Sequence, residues 1–297
     1  MIDAILEPLA YEFFIRALIA STLVGVICAV VGTYVVLKGI SFIGDGISHA
    51  AFPGVVAAFI LQVPFYLGAA IAAVSTALAI GFVSRRGFLR MDTAIGVLFA
   101  GTFALGVFLF STISGYVADL FSFLFGNILA ISASDLVALV VLGAIVLAVI
   151  AVLWKQFLYA TFDPLGAAAS GIPVGRLEYL LLALVSLAIV VSLQAVGIIL
   201  VVAMLVTPAA TAQLLTARFG RLMQIAILVG VASSIAGLYL SFWLDAASGA
   251  TIVLVQTAIF LAVLLLSPRT GLVGYLRGSG ADAAADGAPE GAPLPGG

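Results

Sequence analysis

Charged positions are so sparse in this chain that apolar ones run on in long blocks. No Asp, Glu, Lys or Arg occurs from Ala17 to Leu37, Gly46 to Ser84, Thr93 to Ala118, Leu136 to Trp154, Tyr179 to Ala217, Leu222 to Leu244 or Ala246 to Pro268. A helix needs about 20 residues to cross the hydrocarbon core. Five blocks suit one crossing each, and the two long ones suit two. The long blocks divide at turn-like points, Gln62 to Pro64 in the first and the polar stretch SLQAVG around Gln194 in the second. The pattern predicts helices at about 13–37, 46–61, 65–83, 93–111, 136–154, 178–194, 197–217, 222–242 and 249–267. Residues 115–132 are apolar enough to enter the membrane but carry Asp119 and Asn127, and read as a short or re-entrant helix.

Composition agrees with the pattern: 65% of residues are hydrophobic and 8% charged, against about 45–50% and 25% in a soluble domain. The fold class is an all-α, multi-pass membrane protein of about 8–9 transmembrane helices. A short N-terminal segment (1–12) precedes a membrane-spanning block (13–277), and a tail (278–297) rich in Gly, Ala and Pro is expected to be disordered. Asp3, Glu7 and Glu12 stand where a cleaved leader carries positive charge, so the first helix is expected to stay. Net charge is -2 with no basic tract, which excludes a nucleic-acid surface. The single cysteine, Cys28, lies within the first apolar block and reads as a small hydrophobe.

Lys38, the Arg85/Arg86/Arg90 group, Lys155 with Arg176, Arg218 with Arg221, and Arg269 with Arg277 fall in alternate loops. Cytoplasmic loops retain Lys and Arg, so nine crossings put the C-terminal end inside and the N-terminal end outside; Arg16 alone runs against that count. One cytoplasmic connection, 155–178, is longer than a turn. Asp163-Pro164 reads as a helix start, with Asp as cap and Pro at the first position. Gly171 and Pro173 end it. A short helix across the cytoplasmic face can dock a partner or serve simply as an amphipathic connector.

Asp45 and His49, the only histidine, are four residues apart and share one face of a helix. A carboxylate oxygen and an imidazole nitrogen so placed suit one divalent ion such as manganese, zinc or iron. Two ligands are too few for a structural zinc site, whereas an incomplete site suits an ion that must also leave. Asp45 also suits a cap on a helix beginning at Gly46, and His49 a core histidine bonded to a carbonyl. Ser41 and Ser48 offer further oxygens, although Ser48 also suits a bond within its own helix. Pro53 can kink the helix beyond His49, and Pro208, in the stretch VTPAATA, suits either a bend lining the path or close packing.

No GxxxxGK[ST] loop is present, so the chain cannot couple ATP by itself. Neither a Gly-x-Ser-x-Gly elbow nor an HExxH helix occurs, which leaves intramembrane hydrolase chemistry without a constellation.

Five stretches together resemble one family. They are GISFIGDGISHAAFPGVVAAF (39–59), LFSFLFGNILAIS (120–132), FDPLGAAASGIPV (162–174), QAVGIILVVAMLVTPAATAQLLT (194–216) and SGATIVLVQTAIFLAVLLLSPR (248–269). The set is similar to the membrane permease subunits of manganese, zinc and iron ABC importers, the ABC-3 family. The resemblance implies a reduced version of the vitamin B12 importer fold, a homodimer in the cell membrane, two cytoplasmic ATP-binding subunits and an extracellular or periplasmic metal-binding protein. It implies that Asp45 and His49 belong to the metal path, with Ser48, Pro53 and Pro208 as pathway or gating candidates. Phe162, Asp163, Pro164, Leu165 and Gly171 fall in the region that meets the ATPase; Leu165 departs from the acidic residue that many relatives carry there. No permanently bound cofactor is implied, only the transported ion, and the lack of a histidine-rich loop favours manganese. A stand-alone carrier or channel for divalent cations, and a permease for an organic metal chelate, are the competing readings.

Overall fold

The computed structural model describes residues 6–113 and 128–267. Among these residues the chain is helical without strands, and its long helices are apolar on every side because each faces either lipid or another helix. In order they are α1 (Glu12–Leu37), α2 (Ile43–Ala50), α3 (Phe52–Leu61), α4 (Phe65–Arg85), α5 (Met91–Ser111), α6 (Ala133–Val152), α7 (Trp154–Phe162), α8 (Pro164–Ala169), α9 (Val174–Leu215), α10 (Phe219–Leu244) and α11 (Ser248–Leu266). Two 3₁₀ turns, Pro8–Ala10 and Ile128–Ala130, precede α1 and α6. The readings made for Asp119, Asn127 and the tail lie outside the described residues.

Among the described residues eight segments are long and apolar enough to cross a membrane, α2 and α3 together forming one of them. The 42-residue α9 crosses twice. Its start meets the inner end of α1, where Lys38 pairs with Glu178 at 3.7 Å. Its middle meets the start of α11, with the Val196 carbonyl and Leu200 beside Gly249. Its end returns to the far end of α11, where Ser267 donates to the Leu214 carbonyl at 3.0 Å. The reversal occurs at Gly197, whose φ of 79° and ψ of 169° only glycine adopts freely. Among the described residues one doubled segment in eight amounts to nine crossings.

The same contacts bring Lys38, Arg85 and the Arg218 end of α10 to one face. The excess of Lys and Arg there marks it as cytoplasmic. Arg16, at the opposite end, pairs with Glu12 of its own helix.

α1 and α9 form the centre of the bundle, and α5, α6 and α11 are largely exposed around it. Close approach depends on small residues, as lipid offers no hydrophobic force between helices. α3 and α4 touch through Gly54 and Gly68: a Cβ on either would stand 2.1 or 2.2 Å from the other's carbonyl oxygen.

Candidate functional site

The second crossing begins at Ile43, three residues before the expected start. Its cap position is Phe42, and Asp45 lies inside the first turn, bonded to no backbone amide. The capping alternative for Asp45 is therefore set aside. At Ala51, which keeps helical φ and ψ, α2 passes into α3 within one span. Pro53 has no N–H to give the His49 carbonyl one turn back.

His49 Nδ1 lies 3.0 Å from the Asp45 carbonyl oxygen and 3.5 Å from Asp45 Oδ1. With the carbonyl accepting from Nδ1–H, the free lone pair is on Nε2, the nitrogen left to take a metal. The ring is held edge-on by Phe99 and Phe103 of α5, at centroid distances of 5.2 and 5.4 Å. Those phenylalanines are the ninth and thirteenth residues of the 21-residue α5. The imidazole thus sits near the midpoint of a membrane-spanning helix, not at the cytoplasmic end where charge counting alone would leave it.

The His49 side chain is 25% exposed and that of Asp45, one turn nearer the start of the crossing, 47%. An ionisable pair left open within a membrane-spanning segment requires a polar surrounding, either a wet path or another protein surface. No cluster of three His, Cys, Asp or Glu residues exists among the described residues, so no third ligand of these types joins the pair there.

Ser48 does not join them. It is fully buried and donates to the Gly44 carbonyl at 2.7 Å. Pro208 is buried in the second arm of α9.

On the cytoplasmic face, Asp163 caps α8: its Oδ1 accepts from the Gly166 N–H at 2.8 Å. Gly171, with φ of 81°, closes the helix, its N–H on the Ala168 carbonyl and that of Ile172 on Ala167, both at 3.0 Å. That pairing is the Schellman motif. Phe162 and Leu165 are 58% and 85% exposed, an apolar surface on either side of the Asp163 cap. Phe162 also meets Phe219 of α10 at 6.0 Å, and Phe219 meets Tyr34 of α1 at 5.3 Å. A ring-to-ring path thus joins the α8 region to the core.

Several residues escaped the sequence reading. Asp135 accepts from Tyr66 Oη at 3.1 Å and Gln194 Nε2 at 3.0 Å, and closes a capping box with Ser132. The Ser132-x-x-Asp135 spacing signals that cap. Glu178 is held between Lys38 and Arg85, 3.7 and 3.3 Å away, beside a cavity of about 430 Å³. Gln194 bonds between helices, whereas the buried Gln256 has neither amide atom paired.

Comparison with known proteins places these features in a lineage. A family model described as the ABC 3 transport family matches residues 10–267. A manganese transport system membrane protein, MntC, of Halalkalibacterium halodurans is 47% identical over 92% of this chain and 94% of its own length. The chelated iron transport system membrane protein YfeC of Yersinia pestis is 40% identical over 92% of each chain. Among solved structures, PsaBC from Streptococcus pneumoniae in complex with Fab superposes with a TM-score of 0.83 at 36% identity, covering 94% of this chain and all of that one. An inward-facing metal-chelate type ABC transporter shares the fold at 16% identity and a TM-score of 0.69, over 84% of each chain.

Proposed function

The chain belongs to the ABC 3 transport family, and from that premise we propose that it is the membrane-spanning subunit of an ATP-driven importer for a divalent transition-metal ion, manganese foremost. The observation that carries the reading is the Asp45–His49 pair, an oxygen and a free Nε2 on one helical face, partly open within a membrane-spanning segment. An ion with a two-ligand site in one chain needs further ligands from water or a second chain. A homodimer supplies them by presenting the pair twice around one axis. Manganese and iron accept such oxygen-rich, partly hydrated coordination, whereas zinc prefers closed tetrahedral sites. Of eight similar relatives, the four most similar are named for manganese and the other four for iron or chelated iron.

The chain binds no ATP of its own in this reading. Phe162, Asp163, Pro164, Leu165 and Gly171 form the surface for a separate cytoplasmic ATP-binding subunit. An extracellular or periplasmic metal-binding protein delivers the ion to the opposite face. A solitary carrier would have no use for exposed Phe162 at the end of α7 and Leu165 in the capped α8, which favours the ABC reading over that alternative.

The test is uptake of radioactive manganese, iron and zinc into liposomes holding the chain with its ATPase and binding protein. Loss of uptake in Asp45→Ala and His49→Ala supports the ligand assignment, and undiminished uptake in both sinks it. Ion flux driven by a gradient through the chain alone would instead establish the solitary carrier.

A further inference from the structure

The segment that carries Asp45 and His49 is gripped on two flanks through glycines. A Cβ on Gly44 would stand 2.7 Å from Cδ2 of Leu205 in the second arm of α9. A Cβ on Gly46 would stand 2.7 Å from Cγ2 of Ile95 in α5. At about 100° per residue, the arc from Gly44 round to Gly46 contains both Asp45 and His49. The ligand face is the face left open between the two grips.

The Leu205 grip is the more firmly anchored. Leu205 is fully buried, and its carbonyl oxygen lies 1.8 Å from where a Cβ of Gly32 would be. The backbones of α9 and α1 are therefore in direct contact at this residue. Three residues on, Pro208 has no N–H for the Met204 carbonyl, so the helix lacks a rung beside Leu205. One side chain thus spans from a weakened turn of α9 to the glycine adjoining Asp45.

We propose that Leu205 is a positioning residue for the Asp45–His49 pair. It touches no ion. Its tip fixes where the first turn of α2 lies against α9, and so the direction in which the carboxylate and Nε2 point. Ligand distances must hold to about 0.2 Å, so a displacement of α2 by a fraction of its contact gap changes affinity. The inference rests on the proposed role of Asp45 and His49 as transport ligands.

A size swap tests it. The permease–ATPase complex is placed in nanodiscs, and manganese binding is followed by the loss of the free-ion EPR signal. Leu205→Ala should raise the Kd about tenfold while basal ATP hydrolysis stays within about twofold. Gly44→Ala, which returns a methyl group to the vacated space, should restore much of the affinity when added to Leu205→Ala and weaken binding when made alone. Such non-additivity is the mark of direct contact. A residue with a purely structural role would lower the yield of folded complex and leave Kd unchanged. Wild-type Kd in Leu205→Ala, or additive effects in the pair, overturns the proposal. If Leu205→Ala does not fold, Leu205→Val shortens the same tip and reads the same coupling.

If Asp45→Ala and His49→Ala leave binding intact, the ligand reading fails. Non-additive melting temperatures of the Gly44 and Leu205 variants would still report their contact, which separates the two failures.

Discussion

Gln194 donates a hydrogen bond of 3.0 Å to the Asp135 carboxylate, joining the top of the α9 hairpin to the first turn of α6. Tyr66 at the start of α4 donates to the same oxygen at 3.1 Å. One carboxylate therefore ties three crossings together at the outer face. Asp135→Ala leaves Gln194 and Tyr66 without their acceptor and is expected to destabilise by about 2 kcal/mol. Tyr66→Phe removes a single donor, for about 0.6 kcal/mol, the average for such bonds in membranes. Thermal unfolding of the purified variants in detergent checks the order.

The Gly54–Gly68 contact predicts a sharper effect. Gly54→Ala drives a methyl group to within 2.1 Å of the Gly68 carbonyl oxygen, and both are backbone positions that cannot rotate away. Separation of α3 from α4 is expected to cost more than about 3 kcal/mol and to abolish monodisperse protein. Gly220→Ala in the first turn of α10 meets nothing within 4 Å. It should be tolerated, or stabilise by about 0.5–1 kcal/mol through helix propensity. Size-exclusion profiles of the two variants distinguish a steric site from a permissive one.

Phe103 meets His49 at 5.4 Å and Phe52 at 5.7 Å, so it holds both the ring and the start of α3. Phe103→Ala should loosen the imidazole without removing a ligand. The expected result is manganese affinity weakened about tenfold, as for other groups that orient a metal ligand. Phe103→Leu, which keeps the bulk, should recover part of it. Manganese titration of the complex reads both.

The spans were legible because bilayer thickness sets the length of each charge-free block, and bilayer thickness acts on every residue in the same way. Their ends were less so. Using charge as a boundary cut Asp45 out of the second helix and Asp135 out of the start of α6. Both sit inside a first helical turn, Asp135 as a capping partner of Ser132 and Asp45 beside His49. The polar stretch SLQAVG marks the hairpin, and within it the backbone turns at Gly197, the residue able to take positive φ, rather than at Gln194, where polarity is highest. The cytoplasmic helix was read closely because its signals are local: Asp163 as cap, Pro164 at the first position and Gly171 past the end. The depth of His49 was beyond reach, since it depends on which turn of α5 supplies Phe99 and Phe103.

Glu178 pairs with Lys38 and Arg85 from two other helices, at 3.7 and 3.3 Å, and is about a third exposed. Solvent screening limits what such a network contributes. Glu178→Gln is expected to change stability by less than about 1 kcal/mol. A drop several times larger on thermal unfolding would mean that the cytoplasmic ends of α1, α4 and α9 depend on this carboxylate for their packing.

Asp163 offers a way to separate a cap from a charge. Its carboxylate accepts the Gly166 N–H at the start of the six-residue α8, a helix too short to persist on propensity alone. Asp163→Ala removes the acceptor, a change of about 1 kcal/mol, enough to fray a single helical turn. Asp163→Ser keeps a capping oxygen and discards the charge. If α8 is the docking element for the ATPase, the alanine variant should lose most co-purified ATPase and the serine variant should retain it. Equal loss in both would show that the ATPase reads the negative charge itself, and equal retention would remove α8 from the docking surface.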